Sequence, residues 1–178
     1  MFPGATADRE DADYVLVGAP LDVSTSFQPG ARFGPDRVRR FSGGFENYDH
    51  HTDSLFTDRG VHDYGDIEAW ADVREYLDYV TGILGDVRYE GSIPLLVGGE
   101  HTVSIAGVRA VDPDVFVTLD AHLDLRESLA GDEWSHATVT RHALETADRA
   151  IVVGARAGSR EEWRRAEGED VTVVPPEA

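Results

Sequence analysis

Neither cysteine nor lysine occurs among the 178 residues of this chain. Without cysteine there is no disulfide bond and no thiolate metal ligand, so metal ligands must come from His and carboxylate side chains. All 16 basic residues are arginine, against 34 Asp and Glu, and the formal net charge is −18. This excess of carboxylates argues against nucleic acid or an anionic membrane surface as a partner. It predicts a salt-adapted protein, with a genome that favours arginine codons as the alternative explanation.

Long hydrophobic runs are also missing. No stretch approaches 18 consecutive apolar residues, which excludes a membrane-spanning segment. Residues 1–13 are polar and acidic and do not resemble a secretory signal, so we expect a cytoplasmic protein. Apolar residues make up 41% of the chain, which is enough for a core. At roughly 150 residues per domain, residues 1–178 are predicted to form a single domain.

Short apolar runs alternate with longer amphipathic ones along the chain. The apolar runs predict strands, and spacings of three and four predict helices between them. Ser159 and Glu162 form a capping-box signature at the start of the last helix. Apolar strands separated by helices indicate an α/β fold with a parallel sheet covered on both faces. The predicted strands are 14–19, 61–67, 93–97, 115–119, 150–153 and 171–174, and the predicted helices are 73–87, 102–110, 136–147 and 160–167.

Two of the predicted strands end in clusters of polar residues. Strand 93–97 is followed by Gly-Gly-Glu-His with His101 last, and strand 115–119 by Asp-Ala-His-Leu-Asp with Asp120, His122 and Asp124. In extended backbone, alternate positions point to one side, so these three side chains are expected to share a face. His101 can join them from the other strand. Isolated histidines at strand ends are more often structural, but this complete pattern favours a metal site.

The predicted ligands are two imidazoles and two carboxylates, a set that suits Mn²⁺, Mg²⁺ or Zn²⁺. A carboxylate such as Asp120 can bridge two cations, and a two-metal site activates water. Metal-dependent hydrolysis is therefore the function that the residues predict. His136, 12 residues beyond Asp124, is a candidate proton shuttle or substrate contact, unless it only begins the next helix. The acidic loop that contains Glu127 favours a cationic substrate.

Five motifs resemble the ureohydrolase family of arginases and agmatinases, and archaeal agmatinases most of all. They occur in the family's order, and Asp-Ala-His-x-Asp is the most specific of them. The resemblance extends over nearly all of the chain. The motifs are SFQPGARFGP at 26–35, DYGD at 63–66, GGEH at 98–101, DAHLD at 120–124 and SHAT at 135–138.

This resemblance implies a three-layer α/β/α fold with a parallel sheet and two Mn²⁺ ions at its carboxyl edge. His101, Asp120 and Asp124 would bind one ion, and Asp120 with His122 the other. The implied reaction converts agmatine and water to putrescine and urea through attack of a metal-activated hydroxide on the guanidinium carbon. His136 matches the family histidine near the guanidinium. The resemblance also implies a homo-oligomer.

Arg126 and Glu127 are the candidate determinants of substrate choice. Arginases place an asparagine at the position of Arg126, where it helps to hold the amino-acid carboxylate. The different residues here favour agmatine, which has no carboxylate, as the small cationic guanidino substrate. Guanidinobutyrate and arginine stay open, since Arg126 could itself meet a carboxylate, and aminopropylagmatine stays open as well.

Two elements of the family pattern are missing from the chain. A later Asp-x-Asp strand would supply two more metal carboxylates, and a downstream Glu would pair with the guanidinium. The chain therefore resembles only the front portion of a family member, with C-terminal strands missing, an exposed sheet edge and an incomplete second metal site. We predict weak or no activity for these 178 residues alone. The alternatives are a non-catalytic metal-binding remnant, or a mononuclear zinc deacylase of the related deacetylase fold.

Overall fold

A computed structural model describes residues 1–177 of the chain as an α/β structure built mainly from parallel strands. Strands and helices alternate from residue 61 onwards, as predicted. The strands are β1 (Tyr14–Ala19), β2 (Tyr48–Asp49), β3 (Ser54–Leu55), β4 (Val61–Asp66), β5 (Ile93–Gly98), β6 (Val115–Leu119), β7 (Arg149–Val153) and β8 (Val171–Val174). The helices are α1 (Gly34–Ser42), α2 (Val73–Tyr89), α3 (Ser104–Val111), α4 (Val139–Ala143) and α5 (Arg160–Arg165).

The first sheet has the order β4-β1-β5, and all of its pairs are parallel. Its central strand β1 is almost completely buried. Helix α2 begins where Asp72 accepts a hydrogen bond from the Glu75 N–H, at 3.0 Å. The buried side chains of α2 recur at helical spacing and pack against β1 in the main core: Tyr76, Leu77, Val80, Leu84 and Val87.

The second sheet has the order β6-β7-β8 and is also parallel. Its own smaller core contains Leu123, Leu125 and Val152. The capping box at the start of α5 is confirmed: Ser159 accepts from the Glu162 N–H, and Glu162 accepts from the Ser159 N–H. Leu125, in the loop that follows β6, also donates its N–H to the buried Glu162 carboxylate. This hydrogen bond connects that loop to the start of α5.

Three local features differ from the sequence-based expectation. The segment 136–147 forms a short 3₁₀ turn, His136–Thr138, before the five-residue α4, and so the predicted long helix is wrong. The two-residue strands β2 and β3 form an antiparallel hairpin that no apolar pattern indicates. Burial of the sheet on both faces is wrong for β5 and β6, where Ile93, Val117 and Leu119 are 54%, 58% and 85% exposed.

The exposure of β5 and β6 has a simple structural cause. Within residues 1–177 each of the two strands pairs on one side only, β5 with β1 and β6 with β7. The sheet is therefore divided into two three-stranded halves.

As for the helices in this part of the chain, none has the length and apolar character that a bilayer span requires.

Candidate metal centre

The Gly-Gly-Glu-His segment makes a tight turn at the carboxyl end of β5. Gly99 adopts a φ of +27°, and a Cβ there would lie 2.4 Å from the Leu21 carbonyl oxygen and 2.6 Å from that of Ala19. No side chain fits this space, so glycine is required. The turn lets Glu100 donate its N–H to the Leu21 carbonyl at 2.8 Å. His101 follows directly, at the start of the 3₁₀ turn that leads into α3.

The Asp-Ala-His-Leu-Asp segment begins where β6 ends at Leu119. Our expectation of extended backbone through this motif is wrong, because Asp124 has a φ of +51° and the chain turns there. Asp tolerates this left-handed conformation better than most residues. Leu123 is fully buried in the smaller core and anchors the turn. The turn directs the Asp124 carboxylate back towards β5.

His101, Asp120 and Asp124 come together at the carboxyl ends of β5 and β6. His101 Nδ1 lies 2.9 Å from Asp124 Oδ2 and 3.3 Å from Asp120 Oδ2. One ligand atom from each of the three residues lies within 4.8 Å of the others. Asp124 is buried, and the other two side chains are about a quarter exposed. We call these three residues the metal group.

His122 lies beside the metal group rather than within it. Its Nδ1 is 3.4 Å from Asp120 Oδ1, and its side chain is 65% exposed. Its backbone N–H also donates to Asp120 Oδ1, at 2.9 Å. The two oxygens of Asp120 therefore face different histidines. That arrangement suits a carboxylate that bridges two cations, with His122 on the more open side.

The donor spacing in the metal group can be compared with the geometry of a divalent ion. Adjacent ligands of an octahedral ion at about 2.1 Å are separated by about 3 Å. The two nitrogen-to-oxygen distances, 2.9 and 3.3 Å, are close to that separation. Imidazole with two carboxylates is also a donor set for Mn²⁺, Mg²⁺ or Zn²⁺. The residues present fit one divalent cation.

His136 lies in a small network next to the metal group. Its backbone N–H donates to Ser24 Oγ at 3.1 Å, and its Nδ1 lies 3.6 Å from Glu100 Oε2. Its other ring nitrogen is 3.4 Å from Ser26 Oγ. Glu100 immediately precedes His101, so this network joins the early loop, the β5 turn and the SHAT segment. The ring stays about a quarter exposed.

Arg126 and Glu127 are placed in a different groove. Arg126 Nε is 3.1 Å from Glu162 Oε2, a carboxylate that is almost completely buried. The groove has a volume of about 530 Å³, and none of its lining residues belongs to the metal group. Within residues 1–177 no side-chain hydrogen bond or ion pair joins Arg126 or Glu127 to the metal group, although the Arg126 N–H donates to the Ala137 carbonyl, beside His136, at 3.2 Å. The ion pair with Glu162 engages the Nε of Arg126, whose side chain stays 41% exposed.

Sequence reasoning missed two buried acidic residues that shape the early loop. Glu100 accepts from both the N–H and the hydroxyl of Ser24, at 2.9 and 2.6 Å. Asp22 accepts from the Gly30 N–H and from Arg32 Nε, at 2.8 and 2.9 Å. Burial raises the pKa of Asp22, but these hydrogen bonds outweigh it and hold the pKa below its ordinary value. Glu100 precedes His101 in the Gly-Gly-Glu-His motif, and this position beside a predicted metal ligand could have indicated its importance.

The DYGD segment is a structural clamp. Asp63 accepts hydrogen bonds from Arg39 Nε and Nη2, at 2.9 and 2.8 Å, and Arg39 also pairs with Asp66. Burial raises the pKa of Asp63. The hydrogen bonds from Arg39 and from the Phe2 N–H lower it by more, so the pKa of this carboxyl lies below its ordinary value. The clamp fixes α1 against β4. Helix α1 in turn approaches the β5 turn, since Gly34 packs against the Gly98 carbonyl.

Comparison with known proteins gives one consistent family. A model of the arginase family matches residues 12–178. The chain is 35% identical over 159 residues to an agmatinase of Pyrococcus horikoshii, a match that spans 88% of this chain and 56% of that protein. It is 36% identical over 170 residues to an N(1)-aminopropylagmatine ureohydrolase of Thermococcus kodakarensis, spanning 94% of this chain and 59% of that protein.

The fold of the chain also resembles that of solved structures. The agmatine ureohydrolase of Thermoplasma volcanium superimposes with a TM-score of 0.91 at 32% identity, covering 98% of this chain and 60% of that one. Nearly all of the chain therefore has a counterpart in each of these relatives. The chain spans only about three fifths of the length of the relatives that it matches.

Proposed function

This chain belongs to the arginase family, and from that membership we propose that it carries the metal-binding front portion of a hydrolase that converts agmatine and water to putrescine and urea. The convergence of His101, Asp120 and Asp124 is the observation that supports this proposal. The three residues come from two motifs that are 19 to 23 residues apart. The family resemblance implies metal binding for both motifs.

We propose Mn²⁺ as the ion, held by His101 Nδ1 and one oxygen each of Asp120 and Asp124. Asp120 Oδ1 and His122 would provide part of a second site. Bound cations would supply an activated water for attack on the guanidinium carbon. His122 alone does not close the second site, because a divalent ion of this kind needs more ligands than one imidazole and one shared carboxylate.

His136 is proposed to contact the guanidino group and to carry the proton that the leaving amine takes up. Ser24 would hold the His136 backbone, and Glu100 stands near its Nδ1. Ser26 near Nε2 would orient the opposite edge of the ring. These contacts leave part of the ring open to a substrate.

Agmatine is favoured over substrates that carry a carboxylate. The obvious partner for such a carboxylate, Arg126, is already paired with Glu162 in a groove outside the metal group. Glu127 lines the same groove, so neither residue supports a direct contact with the guanidino end of a substrate. Aminopropylagmatine also lacks a carboxylate, and a relative of that name is 36% identical to this chain. It is the second candidate substrate.

The 178 residues by themselves are proposed to turn over substrate weakly or not at all. The Asp-x-Asp strand of the family is not among them, and the sheet has two unpaired inner edges in residues 1–177. We propose a cytoplasmic homo-oligomer, as the family resemblance implies.

Two measurements test the proposal separately. Titration with Mn²⁺ by calorimetry should give one site per chain, and the Asp124→Asn variant should lose it. Urea release should then be compared for agmatine, aminopropylagmatine, guanidinobutyrate and arginine. The comparison uses the chain alone and a fusion of it to the carboxyl-terminal portion of the Pyrococcus horikoshii relative, beyond the last matched residue. Preference for arginine by the fusion would contradict the substrate assignment. Urea release from agmatine by the chain alone at ordinary enzyme rates would contradict the predicted impairment.

A non-catalytic metal-binding remnant is the alternative function. It shares the metal group but predicts that the fusion produces no urea from any of the four compounds. A mononuclear zinc deacylase predicts one Zn²⁺ per chain and no urea.

A further inference from the structure

The imidazole ring of His136 meets different polar groups at its two nitrogens. Nδ1 lies 3.4 Å from Ser24 Oγ and 3.6 Å from Glu100 Oε2, on the partly buried side of the ring. Nε2 lies 3.4 Å from the hydroxyl of Ser26, on the exposed side. A neutral imidazole carries its proton on one nitrogen only, and the groups that face each nitrogen decide which one. The two environments can therefore be used to assign the tautomer.

The hydroxyl of Ser24 has no proton to offer to Nδ1. A serine hydroxyl donates one hydrogen bond, and that of Ser24 is donated to Glu100 Oε2 at 2.6 Å, its shortest contact. The His136 backbone N–H donates to the same oxygen at 3.1 Å, and the Thr102 hydroxyl, 3.2 Å away, can only donate to it as well. Towards the ring of His136, Ser24 Oγ is therefore an acceptor.

The carboxylate of Glu100 does not donate to Nδ1 either. Its side chain is only 6% exposed, and its oxygens accept from the N–H and the hydroxyl of Ser24, at 2.9 and 2.6 Å. An ionised carboxylate has lone pairs and no hydrogen. A lone pair on Nδ1 would therefore face the lone pairs of two acceptors, whereas a proton on Nδ1 has an acceptor on each side.

The other nitrogen of the ring is the one that a substrate or water can reach. The His136 side chain is 28% exposed, and its exposed contact is the one that Nε2 makes with Ser26. A serine hydroxyl can donate as well as accept, so Ser26 is compatible with a lone pair on Nε2. With the proton on Nδ1, His136 presents this lone pair on its open side.

We propose that Ser24 and Glu100 are positioning residues that hold His136 in the Nδ1–H tautomer, which makes Nε2 the single atom where the ring takes up and releases a proton. The inference rests on the proposed function of His136 and adds the atom and the two residues that select it. The Nδ1 proton stays in place throughout, so the ring needs no rotation between the two transfers.

The proton transfers balance over one turnover. Nε2 takes one proton from the attacking water, whose oxygen forms the new bond to the guanidinium carbon. Nε2 then gives this proton to the amine nitrogen as the C–N bond breaks, and the bonding electron pair leaves with that nitrogen. The second proton of the water is released when the urea carbonyl forms, and it ends on the amine product, which is a cation. His136 returns to the tautomer in which it began.

Nitrogen NMR of the chain labelled with ¹⁵N-histidine tests the tautomer without metal or substrate. The chain has seven histidines, and the His136→Gln variant assigns the His136 signals by their loss. Spectra are recorded above the pH range in which histidine ordinarily titrates. Nδ1 of His136 should have the chemical shift of a nitrogen that carries a proton, and Nε2 that of a nitrogen with a lone pair.

Variants at the two serines provide a matched comparison. Ser24→Ala removes an acceptor at Nδ1 and should shift the His136 population towards the Nε2–H tautomer, and Ser24→Thr, which retains the hydroxyl, should restore Nδ1–H. Ser26→Ala removes the same group from the other nitrogen and should leave Nδ1–H in place. Glu100→Gln puts an amide donor beside Nδ1 and should act in the same direction as Ser24→Ala. Circular dichroism checks that all variants are folded.

The fusion provides a kinetic measurement that a merely structural role would not reproduce. Ser24→Ala should lower kcat for agmatine about tenfold, because fewer rings present a lone pair at Nε2. KM should change by no more than about twofold, since substrate binding does not depend on the tautomer. Ser24→Thr should recover kcat. The NMR spectra decide the tautomer even if the fusion releases no urea, a result that would contradict the proposed function alone.

Three outcomes would overturn the inference. The first is an Nε2–H tautomer of His136 in the wild-type chain. The second is an equal response of the tautomer to Ser24→Ala and Ser26→Ala, including no response to either. The third is a loss of kcat in Ser24→Ala that Ser24→Thr does not recover although its tautomer is Nδ1–H.

Discussion

Replacing Asp124 with Asn should separate metal binding from stability by moving them in opposite directions. In the metal-free protein the carboxylates of Asp120 and Asp124 have oxygens within 4.8 Å of each other, and His101 Nδ1 lies beside both. Removing one negative charge relieves their repulsion. It also removes a charged metal ligand. The variant should therefore be at least as stable as the wild type without metal, and should gain little when Mn²⁺ is added.

Both effects can be sized from the structure. Two unit charges 4.8 Å apart repel by about 3 kcal/mol at an effective dielectric constant of about 20. Solvent at the quarter-exposed Asp120 reduces this to about 1 kcal/mol. At a free Mn²⁺ concentration 100 times its dissociation constant, binding stabilises the wild type by about 2.7 kcal/mol. For a chain of this size, that corresponds to a rise in Tm of about 5–11 °C.

The assay is thermal unfolding with and without Mn²⁺, followed by circular dichroism. Asp114→Asn is the matched control, because Asp114 lies exposed at the opposite end of β6 and its change alters net charge equally. It should keep the full metal-dependent rise in Tm. The reasoning is refuted if Asp124→Asn keeps that rise, or if the metal-free variant is less stable than the wild type by more than about 1 kcal/mol.

Four further results are expected. Asp63→Asn should lower the free energy of unfolding by about 3 kcal/mol, because it breaks a buried pair with Arg39. Since the folded pKa of Asp63 is depressed below 3.8, its contribution is present above that pH and is lost as pH falls; acid unfolding curves of the variant should accordingly be flatter. Gly99→Ala should disrupt the β5 turn and abolish Mn²⁺ binding in calorimetry. His136→Ala should leave Mn²⁺ affinity unchanged but remove urea release from the fusion. Potassium chloride should raise Tm if the net charge of −18 reflects salt adaptation, and a decrease in Tm would contradict this.

The α/β fold and the strands that carry the site could be predicted from apolar runs. Strand β1 spans the predicted residues, and β5 and β6 agree with prediction to within one residue. Apolar runs also led to the wrong expectation that β5 and β6 are covered on both faces. A run of apolar residues shows that a strand can be buried, but not that other elements cover it in this structure. Val117 and Leu119 have the composition of a central strand but have a neighbour on one side only.

The candidate site was predictable in its membership but not in its geometry. Carboxyl ends of parallel strands meet at one edge, so His101 and Asp120 could be expected near each other. The turn at Asp124 could not, because a positive φ depends on how Leu123 is anchored in the smaller core. The position of Arg126 depends in the same way on Glu162, which is 36 residues further along the chain.

The divided sheet and the partial metal site have a common structural origin. The metal group stands where the carboxyl ends of β5 and β6 meet, and each of these two strands has one unpaired edge in residues 1–177. A parallel strand that pairs with either edge ends near Asp120, because parallel strands share one direction. In the fusion, such a strand would therefore bring new side chains to the oxygen of Asp120 that faces His122. Slower hydrogen exchange of the amides along the unpaired edges and a change in Mn²⁺ stoichiometry should consequently occur together in the fusion, and either change without the other would contradict this common origin.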